Sequence, residues 1–256
     1  MIDKLRETPH WSYSAFQCYL TCPLKYKFRY IDNAEPERTG ACFSFGRAFH
    51  AAFSERARIG RNMSEREVYD AFEDFLKAEL EVTPNVVFKE NENLDTMLAQ
   101  GAKMVDAVCE NWQDDFAVQS VAESFSVTVP GLSKPLVGEF DCVVEDGKDI
   151  CIVDWKTSGS KWPTGKADQS LQCSAFCYAY KEKYGINPLF RFDVVTKAKS
   201  PTVNNYYTLR TQNDLDRFVT LANSIERSVN SGCFYPNESN FGCADCPYAE
   251  RCKKWR

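Results

Sequence analysis

The sequence predicts an α/β protein, and three observations predict it. Residues 1–115 repeat apolar side chains at helical spacing. From about residue 116 to 210 the pattern changes to alternating or short apolar runs bounded by turns. Within that stretch, Asp146-Gly147 joins two such runs in the way a β-hairpin turn does. The elements follow in order. "SYSAFQCYLTCPLKYKFRYI" reads as two helices broken at Cys22-Pro23, and "FSFGRAFHAAFSERAR" as a helix carrying His50, one of two histidines. "SEREVYDAFEDFLKAEL" opens with a capping box, Ser64 and Glu67, and places Val68, Phe72, Phe75 and Leu76 on one face. A further helix is predicted over about 93–114. "QSVAESFSVTVP" alternates as a strand, "PGLSKP" turns, and "LVGEFDCVVE" and "DICIVDWK" form the hairpin. "DQSLQCSAFCYAYKEKYG" is a helix ending at Gly185, and "LFRFDVVTK" and "TVNNYYTLR" are two more strands. A last helix runs from "TQND" to about Asn230. We expect one domain over 1–256: a mostly helical part (1–115), a sheet core (116–210), and a C-terminal helix with a cysteine cluster (211–256).

The 256 residues carry a net charge of −5, which argues against broad non-specific nucleic-acid binding but leaves room for a local basic channel. No run of 18 apolar residues occurs, so no membrane span and no membrane partner are expected. The start, "MIDKLRETPHWSYS", lacks a basic-then-apolar leader, and the expected location is cytoplasmic. Disulfides are not expected there among the twelve cysteines. Cys42, Cys109, Cys142, Cys151, Cys173 and Cys177 sit in apolar contexts and read as small core residues. "CADCPYAERC" differs: Cys243, Cys246 and Cys252 are spaced C-x2-C-x5-C, which lets three thiolates converge on one metal centre. A closed site needs a fourth ligand that the tail itself lacks.

The hairpin carries the chemistry. With Asp146-Gly147 as a two-residue turn, Glu145 pairs with Lys148 and Glu139 lies opposite Asp154. Glu139, Asp141, Asp154 and Lys156 then share one face, because side chains repeat every two residues. Asp141 and Asp154 become diagonal neighbours, about 7–8 Å apart between backbones. Acids so placed repel one another unless a cation or a proton intervenes, and one or two carboxylates are how Mg²⁺ sites for phosphate chemistry are built. A metal there would activate water for phosphodiester hydrolysis, and an adjacent Lys would stabilise charge or orient the water. The alternative is a solvated hairpin face with a Lys–Asp pair. The apolar neighbours Phe140, Val143, Val144, Ile150, Ile152 and Val153 weigh against that. "KYKFRY" supplies Lys25, Lys27 and Arg29 beside aromatic surface, as single-strand binders do, or else a solvated basic face. Lys161 and Lys166 lie in the loop after the hairpin and either guide a strand past it or are simply solvated.

At these residues the chain resembles the PD-(D/E)XK nuclease superfamily, specifically the RecB-like and CRISPR-associated RecB-like exonucleases, over nearly its whole length. The resemblance implies a restriction-endonuclease-like core, a mixed central sheet flanked by helices. "GRAFHAAF" resembles the family's helical His motif and implies a metal-binding His50. "GEFD" matches the first acidic motif (Asp141), and "VDWKT" matches the D-x-K motif (Asp154, Lys156), with the Trp155 carbonyl as a further metal ligand. "ESFSV" resembles the acidic residue before the hairpin, giving Glu123. "QCSAF" takes the place of a Q-x-x-x-Y motif, giving Gln172. Here the chain departs from the pattern: Phe176 stands where Tyr is expected, and Tyr178 is the nearest substitute. The resemblance also implies a [4Fe-4S] cluster on Cys22, Cys243, Cys246 and Cys252, tying the N-terminal helices to the tail. Zinc suits four thiolates equally by ligand type, and Cys18 and Cys233 are the nearest competing thiols. The implied activity is Mg²⁺- or Mn²⁺-dependent cleavage of DNA, single-stranded or at ends, with a helicase or other DNA-processing partner. Repair, phage replication and CRISPR adaptation are the pathways open to it. Two other readings are a non-catalytic iron–sulfur DNA-end-binding subunit and a zinc-stapled interaction protein.

Overall fold

The structure, a computed structural model, describes residues 2–111, 117–147, 149–239 and 241–255, without the side chains of Arg61, Asp146 and Phe241. In chain order the elements are α1 (Ile2–Arg6), α2 (Tyr13–Thr21), α3 (Pro23–Tyr26), β1 (Thr39–Gly40), α4 (Ala41–Ile59), α5 (Glu65–Val82), β2 (Val86–Val87) and α6 (Leu94–Glu110). There follow β3 (Ala117–Val127), β4 (Leu136–Asp146), β5 (Asp149–Ser158), α7 (Leu171–Tyr184), β6 (Leu189–Thr196), β7 (Val203–Leu209), α8 (Gln212–Asn230) and α9 (Ala249–Lys253). The capping box at Ser64 and Glu67 and the helix end at Gly185 are as predicted. Helix α6 stops at Glu110, and positions 112–114 of the predicted helix lie outside the described residues.

The main sheet has the order β3-β4-β5-β6-β7, antiparallel except for the parallel pair β5/β6, which α7 connects. It is therefore mixed, and both faces are covered, giving three layers. On one face, Phe16 of α2, Phe176 of α7 and Phe218 of α8 pack with Phe140, Ile152 and Phe190 of the sheet. On the other, Phe45, Phe49 and Phe53 of α4 pack with Phe72 of α5, Met104 of α6 and Val153 and Trp155 of β5. The α4 stripe has the i, i+4 spacing that puts three rings on one side. Helix α6 approaches α5 closely because Gly101 has no side chain; a Cβ there would lie 2.0 Å from the Phe72 ring. Cys142, Cys151, Cys173 and Cys177 are buried core residues, while Cys42 and Cys109 are half-buried.

The hairpin register differs from the predicted one by two residues. Asp146 pairs with Asp149 and Cys142 with Val153, so the loop is at positions 147 and 148, not Asp146-Gly147. Gly147 takes the first loop position with φ +67°, the left-handed conformation that tight hairpin turns demand there. Lys148, expected to pair with Glu145, lies outside the described residues, and Glu145 pairs with Ile150. A shift of two preserves side-chain facing, whereas a shift of one would have inverted it. Continuing the observed register sets Asp141, rather than Glu139, level with Asp154.

Candidate active site

The site forms where β4, β5, α4 and α7 meet. Asp141 on β4 accepts two contacts at one oxygen: Oδ2 lies 3.0 Å from His50 Nδ1 of α4 and receives the Trp155 backbone N–H at 3.2 Å. Asp154 on β5 is 1% exposed. Its Oδ2 accepts a hydrogen bond from Gln172 Nε2 of α7, and its Oδ1 meets the Lys156 ammonium. Oδ1 receives no properly directed hydrogen bond, so a buried carboxylate oxygen is left with charge contact alone.

Electrostatics separates the two acids. Burial pushes Asp154 up to about 6, against the pull of Lys156 and with the repulsion of Asp141. Burial would raise Asp141 too, but the charge and hydrogen bond of His50, then Lys156, hold it below the usual carboxylate range. His50 is raised because Asp141 outweighs its burial, and Lys156 because Asp154 and Asp141 outweigh its own. Glu139 shares the rim with Asp141, as the facing argument expected. It accepts from Ser124 Oγ at 3.2 Å, and burial pushes its carboxyl up. Ala122 on β3 falls across from Asp141 and has φ +50°, a left-handed residue inside a strand. Such strain persists where the surrounding structure over-determines it and clusters at functional sites.

A cavity of about 1440 Å³ opens onto His50, Asp141, Glu139 and Lys156, and Arg6, Arg47, Arg58, Lys89 and Lys197 line its walls. Arg47 pairs with Glu79, and Arg58 with Glu55. Lys197 stands 3.9 Å over the Phe45 ring, and Phe43 at the rim is 64% exposed. On the far side of Lys156 a second concavity opens between α2, α7, α8 and the β5–α7 loop.

A family model for the PD-(D/E)XK nuclease superfamily matches residues 10–253. The chain belongs to the PD-(D/E)XK nuclease superfamily. The crystal structure of a "putative exonuclease" from Eubacterium rectale is similar in fold, with a TM-score of 0.60 and 13% identity, covering 96% of this chain and 88% of that one. The structure of SSO0001 is 14% identical over 91% of this chain and 95% of its own, with a TM-score of 0.41. No curated protein matches.

Against the superfamily pattern, His50, Asp141, Asp154, Trp155, Lys156 and Gln172 converge, and Glu123 does not. Glu123 turns to α7, where Lys183 Nζ (2.5 Å), Ser120 Oγ (2.5 Å) and the Tyr184 hydroxyl hold it. Ala122, not Glu123, lines the cavity, because the left-handed kink interrupts the alternation of β3. Phe176 is a core ring packed with Phe125, Phe140 and Phe190. Tyr178 is buried and donates to the Thr128 carbonyl (3.2 Å), so it faces the protein interior and not a strand. Neither concavity is lined by Lys25, Lys27, Arg29 or Lys161. Lys27 pairs with Asp32 at 2.8 Å, and Arg29 stacks on Tyr30, because α3 continues into a π-helical turn over Lys27–Ile31 beside the tail. Lys166 does line the second concavity. Tyr13, which sequence reasoning passed over, packs edge-on against Phe176; burial raises its hydroxyl pKa, and Lys156 and Asp154 both act on it. No local pattern marks Tyr13, since long-range packing brings it to the site.

Among the described residues, no three His, Cys, Asp or Glu side chains converge tightly enough, as they stand, to hold a metal ion. The donor chemistry at the hairpin nevertheless fits a hard divalent cation: two facing carboxylates, one with a buried oxygen lacking a hydrogen bond, and an imidazole. In the tail, Cys22, Cys246 and Cys252 gather around Leu24, Phe28 and Tyr248. Burial raises the Cys252 thiol, and the thiols of Cys22, Cys246 and Cys243 add to the effect. Asn237 bridges two of the four: its N–H donates to Cys22 Sγ and its carbonyl accepts from Cys243 Sγ, both at 3.4 Å. Cys18 is buried and senses Cys22 and Cys246, whereas Cys233 is exposed and its carbonyl accepts from Tyr19. Cys22, Cys243, Cys246 and Cys252 thus share one neighbourhood where α3 meets the tail. No described helix is long and apolar enough to cross a membrane.

Proposed function

We propose that the chain, acting as one domain over 1–256, is a metal-dependent deoxyribonuclease of the RecB-like exonuclease type. It hydrolyses phosphodiesters in single-stranded DNA or at DNA ends. The observation that carries this reading is the gathering of Asp141, Lys156 and His50 at one cavity with basic walls, with Asp154 buried against Lys156. His50, Asp141, Asp154 and the Trp155 carbonyl would hold Mg²⁺ or Mn²⁺. Such an ion, when bound, lowers the pKa of water and neutralises phosphate charge. Lys156 extends its ammonium beside Asp154 and stabilises charge on the scissile phosphate. Gln172 fixes the orientation of Asp154 from α7, and the Trp155 N–H fixes Asp141. Cys22, Cys243, Cys246 and Cys252 hold a [4Fe-4S] cluster that clamps the N-terminal helices to the tail, a structural role.

The test incubates 5′- and 3′-labelled single-stranded and duplex DNA with the protein in Mg²⁺, Mn²⁺ or EDTA, beside Lys156→Ala. Metal-dependent loss of label from single strands, abolished by the substitution, is expected. No metal-dependent cleavage of any substrate, or cleavage indifferent to the substitution, rejects the reading.

A further inference from the structure

Lys156 belongs to two concavities, and the chemistry above uses only one of them. The second has a volume of about 800 Å³, room for a nucleotide. Four cations, Lys156, Lys166, Arg210 and Arg217, face it against two carboxylates, Asp168 and Asp214, on a chain whose net charge is −5. Asp168 accepts from Thr208 Oγ1 at 2.7 Å, and Asp214 caps the start of α8 through Thr211 N (2.8 Å) and Oγ1 (2.7 Å); with Lys156 paired to Asp154 and Arg210 holding the β5–α7 loop, Lys166 and Arg217 are the cations that remain for a ligand. The N-terminus of the fourteen-residue helix α7 opens into the same space, and its dipole favours an anion.

The concavity is also stiff. Arg210 is 3% exposed and binds the loop that forms the wall: it donates to the Ala167 and Ser170 carbonyls, each at 3.0 Å, and to Ser174 Oγ at 2.9 Å. Trp162, half-buried on this loop, packs against Phe192 (centroids 5.0 Å) and Tyr206 (5.7 Å), whose hydroxyl donates to the Trp162 carbonyl at 3.1 Å. Lys166 Nζ lies 4.3 Å from the indole centroid. The half-buried indole beside a helix N-terminus offers an aromatic surface to a base that displaces the Lys166 ammonium from the ring toward the nucleotide's phosphate.

We propose that this concavity is a nucleotide subsite. It takes the nucleotide on the far side of the scissile phosphate from the main cavity, with the base on Trp162 and the phosphate among Lys166, Arg217 and the start of α7. The assignment rests on the nuclease reading for its place in the strand, but its ligand is tested without cleavage. Calorimetric titration in EDTA compares dTMP, thymidine and inorganic phosphate on the full chain. The subsite requires dTMP to bind more tightly than either part alone, and a (dT)10 strand to compete with it. Trp162→Ala and the exposed Arg217→Glu each weaken dTMP binding roughly tenfold, whereas Arg66→Glu on α5 leaves it unchanged. Thermal melts verify that all three variants fold. Equal binding of dTMP and phosphate, unaltered binding in both subsite variants, or failure of (dT)10 to compete would overturn the assignment. Nucleotide binding as described in a protein that cleaves no DNA would sustain the subsite and reject the nuclease reading alone. Cleavage without such binding would do the reverse.

Discussion

Replacing Asp154 with Asn should make the metal-free protein more stable at neutral pH. Asp154 is 1% exposed, and its carboxyl is pushed from the ordinary 3.8 to about 6, with burial as the largest cause. At about 1.36 kcal/mol per pKa unit, ionising it in the folded state costs about 3 kcal/mol. The attraction of Lys156 is already contained in that figure, because the raised value is what remains after Lys156 has pulled it down. The sign follows from linkage. A folded pKa above the unfolded one means stability that is fully present below about pH 4 and lost as pH rises through about 6. D154N behaves as a permanently neutral Asp154, so its advantage is absent at pH 4 and full at pH 7.5. For a chain of this length, about 3 kcal/mol corresponds to a melting shift of roughly 6–12 °C. The assay is urea or thermal denaturation of both proteins in EDTA at pH 4 and pH 7.5. A variant no more stable than wild type at pH 7.5, or equally stabilised at both pH values, would refute the reasoning. Adding Mn²⁺ should then narrow the gap by stabilising wild type and not the variant.

Glu226→Gln should act in the opposite sense. Burial would raise this carboxylate, but hydrogen bonds from Trp11 Nε1 (2.8 Å) and from Ser133 N (3.0 Å) and Oγ (2.8 Å) hold it low. Its stabilisation is therefore present above the unfolded value and lost as pH falls through the folded one. Urea titrations should show the variant destabilised by about 1–3 kcal/mol at pH 7 and much less near pH 3; an equal deficit at both would contradict this. Ala122→Val puts a β-branched side chain at φ +50° and should cost about 1–2 kcal/mol by the same measurement. Iron and sulfide analysis of anaerobically purified protein should find a four-iron cluster. Cys246→Ala should lose both the cluster and its colour, and zinc in place of iron would overturn that assignment.

The hairpin was legible because its chemistry is local. The apolar alternation and the acids two apart determine which residues share a face, and the two-residue error that came from taking Asp146-Gly147 as the turn left that face intact. Gln172 was legible only by resemblance, as its bond to Asp154 spans the β5–α7 loop. Glu123 was misplaced because nothing in the string "VAESF" reveals a left-handed alanine, and that kink decides which side chain of β3 faces the cavity. The basic lining of the cavity was not legible for a different reason. Lys25, Lys27 and Arg29 look like a patch in sequence, but α3 and its π-helical turn carry them to the tail. Arg6, Arg47, Lys89 and Lys197, scattered through the chain, are brought together by packing of α4 on the sheet. Tyr13 reaches the site through the backbone pairing of Trp11 with the start of β4, its N–H to the Pro135 carbonyl and its own carbonyl to the Val137 N–H, each at 2.8 Å.

The central claim is that the acids of one hairpin hold a divalent cation beside Lys156. Mn²⁺ titration followed by electron paramagnetic resonance tests it directly, on wild type, Asp141→Ala and Lys156→Ala. The account predicts a bound-Mn²⁺ signal in wild type, its loss in Asp141→Ala, and its persistence in Lys156→Ala, whose ammonium is a neighbour and not a ligand. Undiminished Mn²⁺ binding by Asp141→Ala would place the metal elsewhere and contradict the account.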